Sequence, residues 1–145
     1  MSDQAAADEA PRDDRAIALA CAHFAQEKKA RDVRLLFVGD RLGIAEYFVL
    51  ATVNNRRQAR AVRDGVRLGL KDKGFGVPLA ASEDPEGRWS LYDYGGVVLH
   101  MFDDEGRKYF DLDSIWADVP ELELPDAAPA MDGVASPEVA PDDEA

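Results

Sequence analysis

The sequence contains one cysteine, two histidines and no long apolar run. With Cys21 alone, no disulfide can close within the chain and no cysteine cage can hold a metal. A reducing compartment suits such a chain. The N-terminus has no basic segment followed by an apolar one, and it is acidic, so neither a secretory signal nor a transit peptide is read there. No stretch approaches the roughly 18 apolar residues of a membrane span. The expected address is the bacterial cytoplasm, with neither a membrane nor DNA as partner.

Basic residues are missing from 118–145, which carries Asp118, Glu121, Glu123, Asp126, Asp132, Glu138, Asp142, Asp143 and Glu144. Residues 1–15 set Asp3, Asp8, Glu9, Asp13 and Asp14 against Arg12 and Arg15. These ends account for the whole formal charge of −12, so the segment between them is neutral. Composition therefore divides the chain into a disordered acidic segment, 1–14, a folded domain, 15–117, and a disordered acidic tail rich in Pro and Ala, 118–145. Hydrophobic residues make up 46%, enough for one core.

Within the domain, Ile17, Cys21 and Phe24 recur at helical spacing, predicting a helix over 14–29 capped by Asp13 or Asp14. Apolar runs predict strands at 33–38 and 47–53, the second buried on both faces. Asn54-Asn55 opens a long helix, 55–73, whose buried stripe is Ala59, Val62, Val66 and Leu70. Val77–Ala80 reads as an edge strand because of Pro78, and 82–87 as a polar loop. Strands 88–94 and 97–102 form a hairpin about Gly95-Gly96. Asp103–Gly106 reads as a turn, and Tyr109–Trp116 as a strand leading into a helix capped by Asp111. The order αββαβββα predicts an α/β (α+β) domain with a mixed sheet of about five strands and helices packed on it.

Catalytic signatures are lacking. Ser90, Asp93 and His100 share the hairpin, but no Gly-x-Ser-x-Gly turn presents a serine, and His100 reads as a packed sheet histidine. His23 sits beside Phe24 on the first helix. No Gly-rich phosphate loop is present. Asp103-Asp104-Glu105 is a solvated turn rather than a two-metal site, so no cofactor, metal or enzymatic activity is expected.

Two features suit binding. Arg56, Arg60, Arg63, Arg67 and Lys71 recur along one side of the long helix, a ridge able to meet RNA phosphates or to stand solvated. Trp89, Tyr92, Tyr94, Phe102, Tyr109, Phe110 and Trp116 are clustered in sequence. Strand alternation sets Trp89, Leu91 and Asp93 on one face and Ser90, Tyr92 and Tyr94 on the other. One face can be core, leaving the other as a binding surface.

The stretch Arg88–Phe102 resembles the signature hairpin of the ribosome silencing factor (Iojap-like) family, W-x-x-x-D-Y/L-G-D-V-x-V-H-x-F/M. Tyr109–Trp116 resembles the family ending R-x-Y-Y-x-L-E-x-L-W, Glu46–Val49 its D-Y-F-V, and Asn55–Gln58 its S-x-R-Q. Gly96 departs from the pattern, standing where Asp is usual in the turn. The resemblance implies a nucleotidyltransferase-like domain without transferase activity. It also implies a repressor that binds ribosomal protein uL14 on the large ribosomal subunit and blocks joining of the small one. On this reading the uL14 contact falls on Trp89, Asp93, Tyr94, Val98, His100 and Phe102. The alternative is an RNA-binding module using the ridge from Arg56 to Lys71, with 23S rRNA as its partner. A homodimer through a sheet edge or the aromatic face stays open.

Overall fold

The computed structural model describes residues 13–125. Helix α1 (Asp14–Glu27) starts where the Asp13 carboxylate accepts from the amide of Ala16 at 3.1 Å. It buries Ile17, Ala18, Cys21, Ala22 and Ala25. Strand β1 (Arg31–Phe37) leads through a short helix, α2 (Gly39–Leu42), to β2 (Tyr47–Thr52). Helix α3 (Arg56–Asp72) follows. Its start is fixed reciprocally: Asn55 Oδ1 accepts from the amide of Gln58 at 2.8 Å, and Gln58 Oε1 accepts from that of Asn54 at 2.6 Å. Val62, Val66 and Leu70 of the expected stripe are buried, and Ala59 is partly buried against the same core.

Strands β3 (Ala80–Glu83), β4 (Trp89–Asp93) and β5 (Val97–Phe102) form a meander, followed by short helices α4 (Asp104–Phe110) and α5 (Leu112–Ile115) and strand β6 (Glu121–Leu122). The six strands lie in the order β3-β4-β5-β2-β1-β6. Among the described residues only the central pair β2–β5 is parallel, linked by the crossover that contains α3. The domain is thus mixed α/β, with one more strand than expected.

Two cores result. Helices α1 and α3 cover one face, over Leu35, Val49, Ala51, Val97, Leu99 and Met101. On the opposite face, Leu36, Phe48, Leu50 and Phe102 pack with Leu112, Phe110 and Trp116. This second core explains why β2 is buried on both faces.

Several local expectations need correction. The edge strand begins at Ala80, not Val77, because pairing is set by the hairpin register, Ala80 opposite Asp93, and Pro78 has no amide to donate. Asp103–Gly106 is not a turn: Asp103 Oδ1 accepts from the amide of Gly106 at 2.7 Å and starts α4. Tyr109–Phe110 ends that helix instead of forming a strand. Asp111, expected as a side-chain cap, is instead a left-handed joint (φ 51°) between α4 and α5: its side chain makes no cap hydrogen bond, while its backbone amide donates to the carbonyl of Arg107. The composition predicts a disordered tail from 118 onward, yet Pro120 accepts from the amide of Phe37 at 2.9 Å and β6 pairs with β1. The remaining expected terminal segments, 1–12 and 126–145, lie outside the described residues.

Candidate partner-binding surface

The ladders assemble the hairpin positions. Trp89 stands opposite Phe102, Leu91 opposite His100 and Asp93 opposite Val98. In the parallel ladder Phe48 is level with Val98, and Leu50 with His100. Paired residues project to the same side, so these eight share the face away from α1 and α3.

Depth separates them. Phe102 is fully enclosed, whereas Trp89, Leu91, Asp93 and Val98 are partly exposed. Trp89 packs on Phe110 with ring centroids 4.6 Å apart and stacks on Phe102 at 5.5 Å. Trp116 meets Phe48 edge-on at 5.4 Å, and the Arg41 guanidinium lies 4.6 Å above the Trp116 ring. Ala45 belongs to the same core, and its neighbour Ile44 is 84% exposed. The result is a partly open apolar floor over a packed core.

His100 is enclosed within this floor. Its Nδ1 accepts from Trp89 Nε1 at 3.1 Å, and Phe48 lies edge-on at 4.4 Å. Burial pushes the imidazole pKa down to about 4, so the ring is neutral near pH 7. With Nδ1 accepting, Nε2 carries the proton, and it finds no acceptor among the described residues. The reading of a packed sheet histidine holds. Ser90 pairs with Met101 in the other alternation set, and the Asp93 carboxylate accepts from the amide of Gly95 at 2.8 Å, so the hairpin builds no triad. His23 pairs with Glu27 at 3.0 Å on α1. Among the described residues no group of three His, Cys, Asp or Glu could hold a metal ion.

Tyr94 departs from the expected set. It is 4% exposed and belongs to the core beneath α1 and α3, because alternation carries it through to the opposite face from Trp89. The basic ridge is also divided. Arg63 bridges Asp64 (2.9 Å) and Glu83 (3.1 Å), and Arg56 donates to the carbonyl of Pro85. Tyr92 donates to Glu83, which holds that carboxyl below its usual pKa. These contacts line a cleft of about 280 Å³ between α3 and the β3–β4 hairpin. Arg60, Arg67 and Lys71 remain exposed.

Sequence reasoning missed one cluster. Asp113 accepts from Arg107 Nε at 2.7 Å and from Arg34 Nη1 at 2.6 Å. Arg107 Nη1 also donates to Thr52 Oγ1 at 2.7 Å, and Arg34 grips Glu121. These bonds, Arg107's first, hold the Asp113 carboxyl down at about 2. They clamp α4 and α5 against β1, β2 and β6. The available signal was Asp113 in the family ending, where the pattern has Glu.

Comparison with known proteins places this architecture. The family described as "Ribosomal silencing factor during starvation" matches residues 11–144. The ribosomal silencing factor of Bacillus subtilis is 31% identical over 98 residues, 68% of this chain and 82% of that protein. The chloroplastic Iojap protein of Arabidopsis thaliana is 31% identical over 110 residues, 76% of this chain and 45% of its own length. A crystal structure from Bacillus halodurans superposes with a TM-score of 0.62 at 25% identity, covering 77% of this chain and all of that one. One from Chromobacterium violaceum gives 0.66 at 23% identity, over 79% and 95%. This chain belongs to the ribosomal silencing factor family.

Proposed function

We propose that this protein represses translation, without catalysis, by docking on the large ribosomal subunit through uL14 and sterically preventing the small subunit from joining. The ribosome of the bacterial cytoplasm is its place of action. The observation that carries the reading is the β4–β5 face. There the family hairpin presents Trp89, Leu91 and Val98 partly exposed above a buried layer of His100, Phe102 and Phe48. A flat apolar patch backed by a packed core loses little freedom on binding, which suits association with a preformed protein face. Steric exclusion asks nothing more of the domain than affinity on one side and bulk on the other.

The test is a binding assay between the full chain and purified uL14, with Val98→Asp and Leu91→Asp. Each places a charge on the partly exposed floor, and each should weaken binding more than tenfold, or about 1.4 kcal/mol, while circular dichroism stays unchanged. Unaltered affinity in both variants would put the contact elsewhere.

A further inference from the structure

On the β4–β5 face, His100 has Leu91 and Leu50 beside it across the strands, and Val98 and Phe102 two places away along its own strand. The residue is 3% exposed. Its Nδ1 is taken by the indole of Trp89. The proton therefore sits on Nε2, at the end of the ring away from the backbone. That N–H meets no acceptor among the described residues. The rings around it, Trp89, Phe48 and Phe102, offer π faces, which are far weaker acceptors than an oxygen.

Buried donors are nearly always paired, because an unpaired one has given up its bond to water for nothing. Packing does not ask for a donor here. A leucine or phenylalanine at position 100 would continue the apolar layer without that penalty. The free domain thus carries a donor that it does not use, and it carries it under the candidate docking surface. Of the four neighbours, Leu91 and Val98 are partly exposed while Leu50 and Phe102 are fully enclosed. The approach to the ring from outside runs between Leu91 and Val98, and side chains of this kind move by a change of rotamer.

Resting on the reading of this face as the docking surface, we infer that His100 determines specificity: the partner delivers an acceptor oxygen, a backbone carbonyl or a carboxylate, to its Nε2–H as Leu91 and Val98 give way. An apolar patch alone accepts many apolar partners. A buried donor discriminates among them, because a partner without the oxygen leaves the N–H unpaired in a site now sealed from water.

Nitrogen-15 magnetic resonance of the imidazole tests this in the full native chain, alone and saturated with purified uL14. The chain has two histidines, so His100→Phe assigns the signal. The expected result is a downfield move of the Nε2 proton in the complex, with slower exchange into solvent. His100→Phe should bind uL14 about tenfold more weakly with an unchanged circular dichroism spectrum. A carboxylate acceptor would also raise the imidazole pKa in the complex and a carbonyl would not; either result supports the inference. Binding of the native chain with an unmoved signal overturns it. So does a cross-peak from the Nε2 proton to a trapped water that persists in the complex. Failure of the native chain to bind uL14 at all is a different result, which overturns the docking reading and this inference with it.

Discussion

The indole N–H of Trp89 donates to Nδ1 of His100 at 3.1 Å, across the antiparallel pair of β4 and β5. This bond fixes the tautomer of a buried ring and orients the largest side chain of the candidate surface. Its acceptor must be neutral, so the surface depends on pH.

That dependence can be worked out in sign. The folded-state pKa of His100 lies near 4, below its ordinary 6.5. The unfolded chain therefore takes up this proton first as pH falls. The stabilisation is complete above 6.5 and is lost as pH falls through 4. Urea titrations should show a loss on the order of 2 kcal/mol between pH 7 and 5, and His100→Phe should flatten that slope. An unchanged slope in the variant would remove His100 from the account.

The Asp113 clamp predicts a second, more acidic transition. A lowered carboxylate pKa stabilises above about 3.8 and is lost as pH falls through about 2. Asp113→Asn leaves Arg34 and Arg107 without their shared acceptor. After allowance for partial exposure, a cost of about 1–2 kcal/mol in chemical denaturation at pH 7 is expected.

Gly106 predicts the reverse of a helix-propensity effect. Alanine ordinarily favours a helix by about 1 kcal/mol over glycine. Here a Cβ at position 106 would come within 2.0 Å of the carbonyl oxygen of Arg88, a backbone atom that cannot easily move. Gly106→Ala should therefore destabilise by roughly 2 kcal/mol or more, read as a lowered denaturation midpoint. A stabilised variant would contradict the packing of α4 on β4.

Tyr94 and Val98 should separate fold from docking. Tyr94 is enclosed in the core under α1 and α3, so Tyr94→Ala should cost about 3–5 kcal/mol as a buried aromatic truncation. Val98→Asp should keep the domain folded, at some cost from the new carboxylate opposite Asp93, and abolish large-subunit binding. Thermal melts and pelleting assays on the two variants should give opposite patterns.

Periodicity was enough to read the long helices and the hairpin, because Val62, Val66 and Leu70 recur on one stripe and alternation along 88–94 is clean. It failed where one side-chain contact decides. Asp103 turned an apparent loop into α4 through a single amide, and Asp111 adopted a left-handed conformation that pattern reading does not detect. Strand β6 has two residues and exists only because β1 offers a free edge. Within the site, alternation assigned Trp89 and Tyr94 to opposite faces, but which face faced the long helices needed the tertiary structure. At Gly96 a Cβ would meet only the side-chain carboxylate of Asp14, which can swing aside, so the structure gives no account of the glycine there.

Sedimentation of purified ribosomal subunits through sucrose, with and without this protein, tests the central claim most directly. The account predicts that the protein travels with the large subunit and that the joined-ribosome peak shrinks, both effects vanishing with Val98→Asp. Co-sedimentation with an undiminished joined peak, or no association with the large subunit, would contradict it.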